Sequence, residues 1–253
     1  MKGCLIVILF LTMVSCKESN RSKNEFIQKE LIVNLDSINV IKDSLALDSL
    51  TALRMAELSL IDLRRIAPEI LIDLKYATTD NFMHRVLYDT LNTIYLNREV
   101  AFRLKEVQGL LDSIRPGIHL LVYDGARPIS VQKEMWDSMD TISEFARSKF
   151  VSNPKLGSVH NYGAAVDVTL CNEMGVPLDM GAEYDDFRKI AFPSLEYYFL
   201  KNGQLSNQQV ENRRLLRKVM KSQKFSNIPT EWWHFNACSR WYAISHYQLI
   251  KTE

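Results

Sequence analysis

What this 253-residue chain lacks narrows its function before any motif is considered. No apolar run reaches the ~20 residues that a membrane-spanning helix needs. An excess of one charge is missing too: 31 lysines and arginines face 30 aspartates and glutamates, for a formal net charge of +1. Without a basic excess, nucleic acid or an anionic surface is disfavoured as the main partner. Cysteine is scarce, four residues in all, and none forms a CxxC pair, which argues against a cysteine zinc site. Only Cys171 and Cys238 fall in the folded part; a disulfide between them is open in an oxidising compartment, and spacing alone does not decide it. What remains, 47% hydrophobic and 24% charged residues, is ordinary globular material with length enough for one well-filled core.

The N-terminus has the three-part layout of a secretory signal: Lys2, an apolar stretch from Leu5 to Val14, then Ser15 before Cys16. A cysteine at the cleavage point resembles a bacterial lipoprotein signal. That resemblance implies removal of residues 1–15, acyl chains on Cys16 and a membrane-anchored protein of the periplasm or cell envelope. Met13 stands where the usual box prefers leucine, and a plain cleaved signal is the alternative. Residues 16–58 follow, rich in Lys, Glu, Asp, Ser and Asn, with no proline or glycine from Lys17 to Leu58. Leu31, Leu35, Ile38, Leu45 and Leu53 recur at loosely helical spacing, so a partly helical stalk is expected, with a disordered tether as the alternative.

The globular part is expected over residues 59–253. Ile70–Tyr76 reads as a strand. Asn97 is placed to cap a helix whose inward face is Val100, Leu104, Val107 and Leu111, closed by Pro116-Gly117. Ile118–Tyr123 is an apolar strand that delivers the tight loop Asp124-Gly125-Ala126-Arg127-Pro128. Helices are expected over Ser130–Met139, Ile142–Phe150 and Asn207–Ser222, the last with its charges outward. Ala164–Leu170 alternates with strand period, placing Val166 and Val168 opposite Asp167.

Two constellations carry chemistry. His160 precedes Asp167 by seven residues, with Gly163 between them to let the backbone bend, and Glu231-Trp232-Trp233-His234 lies near the C-terminus. Two imidazoles and a carboxylate are the ligands of a catalytic Zn2+ site, which keeps its fourth position for water. Glu231 is the kind of group that takes the water's proton. Residues three apart on a regular strand face opposite ways, so a shared site requires the strand to begin after Glu231. Arg127 could brace an oxyanion or merely pair with Asp124, and the loop alone does not choose. His84, His119 and His246 have no supporting pattern.

Ser158-x-His160-x-x-Gly163-x-Ala165-x-Asp167, Glu231-Trp232-Trp233-His234 and Tyr123-Asp124-Gly125-Ala126-Arg127-Pro128 together resemble the D-alanyl-D-alanine dipeptidase family, zinc enzymes akin to the vancomycin-resistance dipeptidase and the D,D-carboxypeptidases. Asp73–Thr78 with Asn81-Phe82, Leu178–Gly181 and Asn212-Arg213-x-Leu215-Leu216 are similar to it as well. The resemblance runs from about Asp62 to the C-terminus. It implies that His160, Asp167 and His234 bind zinc, Glu231 is the general base, Arg127 stabilises the tetrahedral intermediate, and Ser158, with Asp124 as a further candidate, holds substrate. The implied reaction is hydrolysis of D-Ala-D-Ala to two D-alanines by a zinc-activated water. The expected fold is a single α+β domain with a central antiparallel sheet carrying the ligands and helices around it. Competing readings are a D,D-carboxypeptidase or endopeptidase on cell-wall stem peptides, and a non-catalytic wall-binding lipoprotein.

Overall fold

The structure, a computed structural model, describes residues 49–148 and 150–253. The signal segment, Cys16 and most of the expected stalk lie outside these residues. The chain divides into two units at Ser49/Leu50, and the second, Leu50–Glu253, holds the fold and the site. That unit opens earlier than residue 59, with a helix over residues 50–57 (α1). Thr51 and Met55 on α1 are buried, so apolar contact rather than tethering decides its place.

Next come β1 (Leu60–Asp62), α2 (Leu63–Ile66), β2 (Leu71–Ile72), β3 (Tyr95–Asn97), α3 (Arg98–Ile114) and β4 (Ile118–Asp124). The second half holds α4 (Ile129–Asp137), α5 (Glu144–Arg147), β5 (Ala165–Asn172), α6 (Glu196–Lys201), α7 (Asn207–Ser222), β6 (Ser226–Asn227), β7 (His234–Asn236) and α8 (Arg240–His246). A five-stranded sheet runs in the order β2-β4-β5-β7-β6, and β1 pairs with β3 apart from it.

The fold is α+β, as expected, but the central sheet is mixed rather than antiparallel. β4, β5, β7 and β6 pair antiparallel, whereas β2 lies parallel to β4. A parallel pair needs a long crossover, and α3 lies in the chain between these two strands. The expected strand Ile70–Tyr76 shortens to β2 because the chain turns into a 3-10 helix at Lys75–Ala77. There the Tyr76 carbonyl accepts from the Leu87 and Tyr88 N–H groups instead of from a strand. The expected helix Ile142–Phe150 is one turn, α5.

One sheet face is apolar. Val166, Val168 and Leu170 of β5 share a core with Leu104, Val107 and Leu111 of α3 and with Leu216, Val219 and Met220 of α7. Each such fully buried side chain is worth about 1.5–3 kcal/mol over exposure. Asp167 alternates onto the opposite face, where Leu121, Tyr123 and Cys171 form a smaller cluster. Cys171 and Cys238 are both free thiols, so no disulfide joins them.

Candidate metal centre and active site

Ser158 caps a 3-10 turn over Val159–Tyr162, its hydroxyl accepting from the His160 N–H while the Asn161 side chain accepts from the Ser158 N–H. Gly163 ends the turn at φ 63°, and a Cβ there would stand 2.5 Å from Leu60 Cδ2. Only glycine meets both conditions. The chain then enters β5, bringing His160 and Asp167 to one point. On the neighbouring strand, Asp167 pairs in register with His234. β7 starts at His234, after a turn at Pro229-Thr230, so Glu231 precedes the strand and its carboxylate lies 4.0 Å from His234 Nδ1. Trp233 walls the cavity, while Trp232 packs behind and donates its Nε1–H to the Ala182 carbonyl.

The three expected ligands converge. His160 Nε2 is 3.1 Å from His234 Nδ1 and 3.3 Å from Asp167 Oδ1, and His234 Nδ1 is 3.0 Å from Asp167 Oδ1. Donors about 2.0–2.1 Å from a tetrahedral zinc ion stand about 3.3 Å apart, so the triangle has the right edge lengths. The ring tautomers agree. His160 Nδ1–H donates to the Gly125 carbonyl at 2.7 Å, and His234 Nε2–H donates to Asn236 Oδ1 at 3.0 Å. Both remaining ring nitrogens therefore present lone pairs inward. Asp167 Oδ2 accepts from Tyr184 Oη at 3.0 Å and from Arg127 at 3.3 Å, leaving Oδ1 for the same point. Such a donor set fits a divalent cation, and imidazole with carboxylate suits zinc.

Arg127 is reached through an irregularity in the sheet. The β4–β5 register steps from Val122↔Val168 to Asp124↔Asp167, which leaves Tyr123 as the extra residue of a bulge. The bulge re-aims the end of the strand, so Asp124 arrives beside Asp167. Gly125 has no space for a side chain, because a Cβ would stand 2.7 Å from Ile94 Cγ2. Asp124 Oδ2 accepts from Arg127 Nε at 2.8 Å and Nη2 at 2.5 Å, and Oδ1 accepts from Tyr88 Oη at 2.7 Å. Asp124 is thus wholly buried, and both of its oxygens are engaged, one by Arg127 and the other by Tyr88. Arg127 Nη1 donates to Gln132 at 3.1 Å, and the guanidinium lies 5.0 Å above the Tyr76 ring. A guanidinium has five N–H groups, and the one left on Nη1 is available to the cavity.

His160, Asp167, His234, Glu231, Arg127 and Ser158 all line one cavity of about 560 Å³. Asp185 lines it as well, although no pattern in the chain marks it beforehand. Tyr76 Oη lies 3.2 Å from both Asp185 oxygens, and Asp185 sits at φ 60°, a conformation that costs energy for any residue but glycine. Burial, with Asp167 nearby, raises its pKa to about 7. Glu231 is raised to about 7 as well, chiefly by burial. His84, His119 and His246 stand outside the ligand cluster.

The family profile described as D-ala-D-ala dipeptidase matches residues 56–252. The chain belongs to this family. It is therefore a peptidase. The D-alanyl-D-alanine dipeptidase of Escherichia coli strain K12 is 30% identical over 176 residues, which is 70% of this chain and 83% of that protein. The D-alanyl-D-alanine dipeptidase of Enterococcus faecalis is 28% identical over 195 residues, 70% of this chain and 90% of that one. Among solved structures, the vancomycin-resistance D,D-pentapeptidase VanY in complex with Zn(II) overlays at a TM-score of 0.32 with 15% identity, covering 61% of this chain and 79% of that chain.

In this D-Ala-D-Ala dipeptidase family member the loop that bears Tyr184 and Asp185 is fastened from below by α7. Arg213 is fully buried, donating to the Met180 carbonyl at 2.6 Å and the Ile190 carbonyl at 3.0 Å, and Asn212 donates to the Asp179 carbonyl at 2.8 Å. The expectation that α7 turns its charges outward fails at Arg213 and in part at Arg217, which is half-buried against Glu196. The segment after α8 closes the site from beneath. Ile250 N–H donates to the Asn161 carbonyl, and the Ile250 and Lys251 carbonyls accept from Ile129 and Ser130.

Proposed function

We propose that this peptidase hydrolyses D-Ala-D-Ala to two D-alanines, with zinc held by His160, Asp167 and His234. The observation that carries the reading is the convergence of three ligand atoms beside Glu231 within one cavity. Zinc there would polarise the scissile carbonyl and lower the pKa of water from 15.7 towards about 7. Glu231 accepts the proton of the attacking water on a carboxylate oxygen and passes it to the departing amine nitrogen. Help of this kind is typically worth about 10²–10⁴-fold. The free Nη1–H of Arg127 donates to the oxyanion of the tetrahedral intermediate, and Asp124 and Gln132 hold the guanidinium ready so that little reorganisation is needed.

A free dipeptide carries an ammonium and a carboxylate, and the cavity supplies an opposite charge for each. Asp185, with Tyr76 beside it, takes the ammonium, which restores a carboxylate that burial otherwise keeps near neutrality. Arg240 is the only lysine or arginine besides Arg127 among the described residues lining the cavity, and it takes the carboxylate. The Lys2, Leu5–Val14 and Cys16 layout supports export, lipid anchoring at Cys16 and an activity in the cell envelope.

The test is release of D-alanine from D-Ala-D-Ala by the purified full-length chain, before and after chelation and with zinc restored. Release that stops with chelator and returns with zinc is expected. Bound zinc with no action on the dipeptide would shift the substrate to cell-wall stem peptides. Absence of both zinc and turnover would leave a non-catalytic protein.

A further inference from the structure

Phe82, Phe150 and Phe187 belong to two cavities at once. They line the catalytic cavity, and they also line a second space of about 520 Å³ whose other walls include Met83, Met139 and Ile142. Phe187 is the middle of the three: its ring centroid is 5.2 Å from that of Phe82 and 4.8 Å from that of Phe150. The stack is common to the polar cavity of the candidate site and to this second space, where Arg85, Ser138 and Thr141 join the apolar side chains. The partition stands directly behind Asp185. Phe187 follows Asp185 by two residues, and the Phe82 N–H points at Asp185 Oδ2 from 3.5 Å.

We propose that Phe187, wedged between Phe82 and Phe150, sets the length of the substrate on its amino side. The assignment rests on the reading that Asp185 receives the ammonium of D-Ala-D-Ala. An amino nitrogen at Asp185 has this aromatic stack beside it, so an acyl group on that nitrogen that extends past Phe82 meets the Phe187 ring. Volume exists on the far side, where Met83, Met139 and Ile142 offer an alkyl chain an apolar surface beside Arg85, Ser138 and Thr141. Removing the Phe187 ring joins the two spaces and admits an N-acylated dipeptide whose chain lies against Met83, Met139 and Ile142. Phe187 packs against Phe82 and Phe150 and is not part of the His160–Asp167–His234 cluster. It is a specificity-determining residue and not a catalytic one.

The experiment compares kcat/KM for D-Ala-D-Ala, N-acetyl-D-Ala-D-Ala and N-hexanoyl-D-Ala-D-Ala with the zinc-loaded full-length protein and its Phe187→Ala and Phe187→Leu variants. The wild type is expected to favour the free dipeptide over either acylated form by at least 100-fold. Phe187→Ala is expected to raise the acylated-to-free ratio by 10-fold or more, with the hexanoyl compound gaining most, because it reaches the second cavity. Phe187→Leu, which keeps most of the packing, is expected to shift the ratio less and in the same direction, so the comparison survives if the alanine variant fails to fold. A variant that keeps dipeptide turnover with an unchanged ratio overturns the proposal. So does a wild type that already cleaves the acylated compounds as fast as the dipeptide, an outcome that leaves the zinc-peptidase reading intact. A wild type inactive on all three overturns the dipeptidase reading and this assignment with it.

Discussion

Glu231 and Asp185 are both carboxylates that burial keeps near the middle of the pH scale, yet they are asked for different things. In the proposed reaction Glu231 must be ionised to accept a proton. Its raised pKa of about 7 means the competent form grows as pH rises through neutrality. A bound dication draws that value down, so kcat/KM is expected to climb along an acid limb at or below pH 7, and a limb that persists unchanged in Glu231→Gln would remove Glu231 as the base. Glu231→Gln is expected to keep zinc, measured by metal analysis, and to lose about 10²–10⁴-fold in turnover. Asp185 costs stability when it ionises in the ion-free protein. Its folded pKa, about 7 against a reference of 3.8, means the folded state holds the proton more tightly. The penalty is absent below about pH 4 and full above about pH 7. Asp185→Asn also keeps a side chain tolerant of positive φ. It is expected to raise Tm of the ion-free protein at pH 8 by about 2–4 °C, with little change at pH 4, while raising KM for D-Ala-D-Ala.

At the scale of elements, the site depends on local departures from regular structure, and these divide what the sequence discloses from what it conceals. The helices α3 and α7 and the strands β4 and β5 are legible because each repeats its apolar residues at its own period. The cluster of His160, Asp167 and His234 is legible because their spacing and neighbours form a motif, and Gly163 declares the turn that joins two of them. The bulge at Tyr123 is not legible, since a strand with an extra residue reads the same as one without. The Asp124–Arg127 pairing is open to the sequence as one of two readings, but the placing of Asp124 beside Asp167 through the bulge is not. Asp185 lies in a loop with no period, and Arg213 is an arginine on a helix that is otherwise amphipathic. A charge on α7 reads as solvated until the carbonyls of Met180 and Ile190 are placed against it. Gly163→Ala tests the turn. A left-handed conformation costs a side-chain-bearing residue about 1–2 kcal/mol, and the contact with Leu60 adds to it. The variant is expected to lower Tm and to weaken zinc binding together, whereas a fall in Tm alone would separate the turn from the ligand geometry.

For the molecule as a whole, the ligand triangle joins the 3-10 turn, β5 and β7, which are far apart in the chain. An ion bound only by the folded state stabilises it in proportion to the logarithm of its saturation, about 2.7 kcal/mol at 100 times Kd. Chelation is therefore expected to lower Tm by about 5–10 °C, read by calorimetry with zinc restored as the control. The stitches from Ile250 to Asn161 and Ile129 have a further effect, on the timing of synthesis. A ribosome extends a chain at about 5–20 residues per second, so the turn bearing His160 waits roughly 5–18 s, and then for clearance of the exit tunnel, before the segment that closes it from beneath has been made. For most of that interval a nascent chain holds His160 and Asp167 without His234, and once His234 has been made it still lacks the closing segment. Activity is thereby deferred until synthesis has passed residue 250, a delay suited to the proposed export of a peptidase that is to work only after leaving the compartment where it is made.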